Sequence, residues 1–227
     1  MVKLSILVPV YNEEKTLPKV IEEIKKINIK DIVKEVIIVD DCSTDNTKNI
    51  LKKIKDKSIK IFYHPVNMGK GAAIRTALMH STGDIISIQD ADLEYNPRYI
   101  EQAIKPILNG SADVVYGSRF LGKRISLFGK NKTPLPVHWI GNRGLTFITN
   151  LIYSSSITDM ETGCKVFAKE IIKNIKLKAT RFDLEPEITA KILKNKKCRI
   201  KEIPIEFNPR TADEGKKITW RDGIKAA

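Results

Sequence analysis

Strand-length apolar runs alternate with stretches of helical spacing from Lys3 to Gly117, and that alternation limits the fold more than any other feature of the chain. Lys3–Val10 (KLSILVPV), Glu35–Val39 (EVIIV), Lys60–Tyr63, Asp84–Gln89 (DIISIQ) and Ala112–Gly117 (ADVVYG) read as strands. Between them, Leu17, Val20, Ile21, Ile24 and Ile27 space a helix over Glu14–Asn28. Ser43-Thr44-Asp45 supplies N-cap chemistry for a helix reaching Lys55, a third helix runs Gly69–Ser81, and Asn96-Pro97 opens a fourth, to Leu108. Strands that each lead into a helix predict an α/β fold: a doubly wound, mostly parallel sheet flanked by helices, with ligands at the carboxyl ends of the strands. A dinucleotide-binding turn is disfavoured, because the first strand runs into Pro9-Val10-Tyr11-Asn12-Glu13-Glu14 without a glycine-rich loop.

After Gly117 the texture changes. Phe120–Pro136 is rich in Gly, Lys and Pro and reads as a mobile loop. A helix over Val137–Tyr153 follows, then a turn and short strand over Met160–Phe167, a helix over Leu184–Leu193, a strand over Arg199–Phe207, a polar loop to Lys217, and a helix start near Trp220. No linker splits the 227 residues, so one domain is expected over 1–227. No apolar run reaches the roughly 18 residues of a bilayer span, and the chain enters its first strand without a leader segment. Cys42, Cys164 and Cys198 have neither metal spacing nor a partner histidine nearby, and suit packed thiols in a reducing cytoplasm. The net charge of +13 favours polyanionic partners such as phosphorylated substrates or an anionic membrane. No nucleic-acid signature accompanies it, and nucleic acid is excluded as a partner.

The sharpest chemical feature is Asp90-Ala91-Asp92, where the fourth strand meets a loop, followed by Leu93 and Glu94. Two carboxylates two residues apart can share a hard cation, Mg²⁺ or Mn²⁺, which also takes phosphate oxygens. Asp90, Asp92 and Glu94 are the candidate metal ligands. At the first strand's end stand Tyr11, Asn12 and Glu13, and at the second's Asp40 and Asp41; their polar groups can hold a base and ribose, or Asp41 can cap the following helix. Asn67-Met68-Gly69-Lys70-Gly71, followed by Arg75, is a glycine turn entering a helix. Its N–H groups and Lys70 suit a diphosphate, with an ordinary surface turn as the alternative.

In this order the pieces resemble glycosyltransferase family 2, in its dolichyl-phosphate mannose synthase-like branch. The matching stretches are VPVYNEE (8–14), VDDCSTDNT (39–47), NMGKGAAIR (67–75), DADLEYNP (90–97), VVYGSRFLG (114–122), GNR (141–143), TDMETGCKVF (158–167) and FNPRTADEGKK (207–217), which together span nearly the whole chain. The resemblance implies a GT-A fold and a metal-dependent, inverting enzyme that moves one sugar from a nucleotide donor onto dolichyl or polyprenyl phosphate. It implies a nucleotide-sugar half over 1–118, where Pro9, Tyr11, Glu13, Asp40, Asp41, Lys70, Arg75, Asp90 and Ala91 face the donor, and an acceptor half over 119–227. The mannose synthases commonly carry Gln where this chain has Glu94, so GDP-mannose, UDP-glucose and UDP-N-acetylglucosamine all stay open as donors.

Arg119, Arg143, Arg210 and Lys216 lie outside the donor motifs, and with Thr146 they are the candidate pocket for the acceptor phosphate, which arginine grips in bidentate fashion. Catalytic roles fall to Asp92, Arg119 and Asp159, the last orienting acceptor or sugar; Glu185 and Glu187 are further sugar candidates or helix first-turn acids. On a helical wheel Trp139, Arg143, Thr146 and Asn150 share a polar stripe, beside an apolar arc of Ile140, Leu145, Phe147, Ile148, Leu151 and Ile152. That suits a helix lying on a membrane or over a lipid-phosphate groove, or one facing the core. A peripheral enzyme on the cytoplasmic face of the cell membrane, with or without a membrane-anchored protein partner, is expected. The rival readings are a family 2 enzyme with a carbohydrate acceptor and a non-enzymatic nucleotide- or lipid-phosphate-binding protein.

Overall fold

The computed structural model describes residues 1–122, 136–181 and 183–210. Its strands are β1 (Val2–Val10), β2 (Ile32–Asp40), β3 (Ile59–Tyr63), β4 (Ile85–Ile88), β5 (Val114–Ser118), β6 (Lys165–Ala168) and β7 (Ile200–Pro204). They form one sheet in the order β3-β2-β1-β4-β6-β5-β7. The helices are α1 (Leu17–Lys26), α2 (Thr47–Lys52), α3 (Lys70–His80), α4 (Tyr99–Ala103), α5 (Lys105–Leu108), α6 (Pro136–Tyr153), α7 (Lys169–Lys173) and α8 (Leu184–Lys194).

Alternate residues of the central strands feed two cores, which is why their sequences read as continuous apolar runs. Leu4, Ile6 and Val8 pack with Val20 and Ile24 of α1 and Ile100 of α4; Leu7, Ile37 and Val39 pack with Ala73 and Ile74 of α3 and Ile188 of α8. The helix expected over 96–108 is two helices, α4 and α5. Pro106 has no N–H to return to the Gln102 carbonyl, so the α-helical ladder stops there.

The sheet is mostly parallel, as expected, with one reversal. β1 lies between β2 and β4, parallel to both, so the chain switches sides there and leaves a crevice at the carboxyl ends. β6 runs antiparallel to β4 and β5, with Lys165 opposite Ile88 and Ala168 opposite Ile85. The reason is positional. The chain arrives from α6 at the carboxyl edge, so the strand that follows must run back into the sheet. That places the turn before β6, residues 159–163, beside the end of β4.

α6 decides the choice left open by its helical wheel. Its inward face is Thr146 and Thr149, with Asn150 half-buried and Leu145 packed against Ile157, Met160 and Leu193, while Phe147 (69% exposed) and Leu151 (73%) face outward together with Ile140, Ile148 and Ile152. The core-facing reading holds for Leu145 alone; the other five residues of the apolar arc are exposed. Asn150 explains the inversion: its amide donates to the Ile157 carbonyl at 2.8 Å and accepts the Ile157 N–H at 3.1 Å, tying the helix to the next loop by polar bonds. No described helix is long and apolar enough to cross a membrane. Most of the expected loop at 120–136, and the helix near Trp220, lie outside the described residues.

Candidate active site

The glycine turn before α3 is built differently from the expected phosphate cradle. Asp41, 3% exposed at the end of β2, accepts the Met68 and Gly69 N–H groups at 2.8 and 2.7 Å and contacts His64 Nδ1 at 2.7 Å. Those N–H groups are therefore engaged by Asp41 rather than open to a diphosphate, and Asp41 shapes the turn from beneath. Arg75 is likewise turned away from the expected donor site, its guanidinium donating to the Lys178 and Ala179 carbonyls. The same backbone crowds the turn: a Cβ on Gly71 would meet the Ala179 oxygen at 2.5 Å, and Gly69 sits at φ +91°. Asp40 is buried and accepts from the Ser43 hydroxyl and N–H. Asn12, at φ +49°, accepts the Thr44 N–H at 2.7 Å and so ties the ends of β1 and β2 together, while Pro9 and Tyr11 stand half-buried at the end of β1.

Lys70 reaches Asp90 at 2.9 Å and Glu185 Oε1 at 2.8 Å. Burial alone would lower its pKa, but Asp90 and Glu185 outweigh that and hold the ammonium charged, well above its ordinary value. Ala91 is buried in the core between the two aspartates. Asp92 accepts the Glu94 N–H at 3.0 Å. Burial first, then the charges of Asp90 and Glu94, push its carboxyl up to about 7. Glu94 accepts the Arg210 N–H at 2.9 Å.

A hard divalent cation fits this donor set, because all three groups are carboxylates and their mutual repulsion leaves Asp92 short of positive charge. Yet no three His, Cys, Asp or Glu among the described residues stand together as a metal cluster. The expected triad of Asp90, Asp92 and Glu94 is not a closed ligand set. A cation held by the aspartates would need further oxygens, which a diphosphate can supply.

The three described acceptor cations do not all converge. Arg210 belongs to the donor edge: its guanidinium grips Glu13 in a fork at 2.7 and 3.2 Å and donates to the Asp92 carbonyl at 2.8 Å. Its expected place in the phosphate pocket is corrected on that ground. Arg119 and Arg143 stay together. Arg119 forms a fork with Asp159, which is fully buried, at 2.7 Å on both oxygens. Arg143 donates to the neighbouring Thr158 carbonyl at 3.2 Å and lies over Trp139, whose ring meets Phe120 edge-on. Thr146 is buried beneath the turn, where its hydroxyl accepts the Met160 N–H at 3.2 Å. Glu187, in the first turn of α8, accepts the Lys178 and Ala179 N–H groups of the preceding loop at 2.9 and 2.8 Å and so ties that loop to the helix. Lys216 lies outside the described residues.

The two clusters share one neighbourhood. Phe207 packs 5.2 Å from Tyr95 and 5.2 Å from the Arg119 guanidinium, and a Cβ on Gly163 would lie 2.5 Å from Asp90 Oδ2. The turn 159–163 thus touches the Arg119 site at one end and the Asp90 carboxylate at the other.

Residues 5–176 match the family model described as glycosyl transferase family 2. The chain belongs to glycosyltransferase family 2. It is 32% identical over 222 residues to a UDP-N-acetylglucosamine–dolichyl-phosphate N-acetylglucosaminyltransferase of Methanococcus voltae, covering 89% of this chain and 84% of that one. It is 33% identical over 222 residues to a dolichyl-phosphate beta-glucosyltransferase of Trichomonas vaginalis, covering 91% and 66%. Among solved structures it resembles glucosyl-3-phosphoglycerate synthase from Mycobacterium tuberculosis, determined with Mn²⁺, UDP and phosphoglyceric acid. The TM-score is 0.70 at 21% identity, over 94% of this chain and 73% of that one. The fold is therefore GT-A, and the protein is a glycosyltransferase.

Two residues of this transferase escaped sequence reasoning. Lys165, 1% exposed, donates to the Met160 and Thr162 carbonyls at 3.0 and 2.5 Å and lies over the Tyr116 ring, pinning the turn from inside the sheet. A lysine in a short strand gives no local sign that it points inward. Gly163 is the other, and its close approach to Asp90 makes a prediction. Gly163→Ala should displace that carboxylate and cut sugar transfer by roughly a hundred-fold, the order expected for an ångström-scale misplacement. Steady-state assay alongside thermal melting checks it: a folded variant with unimpaired turnover shows that the contact is not functional.

Proposed function

We propose that this transferase moves one hexose or N-acetylhexosamine from a nucleotide-sugar onto the phosphate of a dolichyl-type polyprenyl lipid at a membrane surface. The observation that carries the reading is Arg143, near Arg119, on the same helix whose apolar face is turned outward. A lipid phosphate needs a cationic grip and an apolar bed side by side, and α6 offers both. The two relatives named for dolichyl phosphate support the acceptor class. One is named for UDP-N-acetylglucosamine and the other for glucosyl transfer, which favours those sugars over mannose here.

A phosphate monoester has its second pKa near ~6 and is largely dianionic at neutral pH, so it can attack the anomeric carbon without a strong protein base. Asp159 then serves to aim Arg119 rather than to take a proton. Asp90 and Asp92 would hold the Mg²⁺ or Mn²⁺, which supplies charge neutralisation to the departing diphosphate. Lys70, fixed between Asp90 and Glu185, adds a second positive charge at that end, and Arg210 braces the donor edge through Glu13.

Incubation of the protein with Mn²⁺, dolichyl phosphate and labelled UDP-glucose, UDP-N-acetylglucosamine or GDP-mannose should carry label from one donor into the organic phase. Label that stays water-soluble with all three refutes the reading. A net charge of +13 suits attraction to the anionic lipids of a cytoplasmic leaflet. The double substitution Phe147→Glu/Leu151→Glu should weaken sedimentation with phosphatidylserine vesicles at least roughly ten-fold, since each buried side chain of this size contributes about 1.5–3 kcal/mol. Unchanged vesicle binding would mean that a membrane-anchored protein covers this face instead, or that nothing does.

A further inference from the structure

The turn 159–163 is tied down at most of its polar groups. Asp159 holds Arg119, the Met160 N–H reaches Thr146 Oγ1 at 3.2 Å, and the Met160 and Thr162 carbonyls share the Lys165 ammonium. The Thr162 hydroxyl donates to the Gly117 carbonyl at 2.5 Å. In the middle of this arrangement Glu161 Oε1 is buried with no hydrogen-bond partner. The other such atom among the described residues, the Ser87 hydroxyl, lies within β4. Native folds rarely leave a buried oxygen without a donor unless something outside the chain supplies one.

The surroundings narrow what that is. Lys165 and Arg119 are the cations that act on Glu161, and both are engaged elsewhere, Lys165 on two carbonyls and Arg119 on Asp159. Glu185 and Asp159 also act on it, and a further anion there would be repelled. A neutral O–H or N–H donor fits. Position points the same way. Gly163 at one end of the turn abuts the carboxylate expected beside the leaving diphosphate, and Asp159 at the other end holds the arginine expected beside the attacking phosphate. What passes between those two points in a transferase is the sugar.

We infer that Glu161 is a donor-sugar contact: its orphan oxygen accepts a hydrogen bond from a hydroxyl or acetamido N–H of the sugar being transferred and so helps set which sugar is taken. The inference rests on the transferase reading above and deepens it. Burial, followed by the charge of Glu185, pushes the Glu161 carboxyl up to about 7. Near neutral pH much of it is therefore uncharged, a form that can both accept from and donate to sugar hydroxyls.

The test compares a nucleotide-sugar with its bare nucleotide. Binding of UDP-glucose, UDP-N-acetylglucosamine and GDP-mannose, and of UDP and GDP, is measured by titration calorimetry with Mn²⁺ for wild type and Glu161→Leu. The expected result is a roughly ten-fold or greater loss of affinity for the preferred nucleotide-sugar, with affinity for its nucleoside diphosphate unchanged. Glu161→Gln keeps a carbonyl acceptor and should stay within a few-fold of wild type. Glu161→Ala gives the same comparison should the leucine variant fail to fold. Equal losses for nucleotide and nucleotide-sugar, or no loss for either, overturn the inference and leave Glu161 a prop of the turn. Wild type that binds no nucleotide-sugar refutes the transferase reading itself, a different outcome from one in which wild type binds and the variants match it.

Discussion

Asp92→Ala should lower sugar transfer on the order of a hundred- to a thousand-fold while leaving the protein at least as stable as wild type. The two halves of that expectation have one cause. Asp92 is half-buried beside Asp90 and Glu94, and its carboxyl is pushed up to about 7 against an ordinary 3.8. Ionising it in the folded protein without a cation is costly, so its removal relieves repulsion. In the working enzyme a cation would balance that charge, and loss of its contribution to the leaving diphosphate costs several kcal/mol of transition-state stabilisation. The sign with pH follows. A carboxyl whose folded pKa is raised binds more protons folded than unfolded between about pH 4 and 7, so stability of the metal-free protein falls as pH rises through that window. In Asp92→Asn this contribution disappears. Melting curves from pH 4 to 8 in EDTA, set beside turnover with Mn²⁺, test both parts. Turnover within ten-fold of wild type would remove Asp92 from the mechanism, and a drop in stability would mean that its charge is already compensated by the chain.

Arg119→Met should cost about 3–5 kcal/mol of folding stability, because it leaves the fully buried Asp159 carboxylate without its partner. The same change should reduce kcat/KM for dolichyl phosphate by roughly a hundred-fold with nucleotide affinity unaltered. The double variant Arg119→Met/Asp159→Leu separates the two roles. With both charges gone most of the stability should return, since an apolar pair of similar volume often replaces a buried ion pair without loss. Acceptor use should not return. Denaturant unfolding and acceptor titration of the single and double variants provide the reading. If the double variant regains transfer, Arg119 serves only to neutralise Asp159, and the phosphate grip falls to other groups.

The donor side was the more legible half because its elements are local. Each strand ends in a motif within a few residues, and a doubly wound sheet brings those ends to one edge. What each side chain does there was not legible. The sequence reads Asp41 as a nucleotide contact or a helix cap; in the structure it is bonded to the glycine turn, to Met68 and Gly69. By sequence Lys70 suits a phosphate; in the structure it pairs with Asp90 and with Glu185 of α8. By charge Arg210 belongs with Arg119 and Arg143, but the fold carries it to Glu13 at the start of the chain.

Sequence by itself determined the strand and helix order, the placing of Asp90 and Asp92 at a strand end, and the family, because periodicity, turn chemistry and ordered motifs are properties of neighbouring residues. Tertiary structure alone decided that β6 runs backwards, that the apolar side of α6 faces out, that Lys165 points in, and that Glu161 is left with an unanswered oxygen. Those four depend on what comes to lie opposite a residue from far along the chain. A helical wheel or an isolated charge carries no record of that opposing surface, because only the packed sheet creates it.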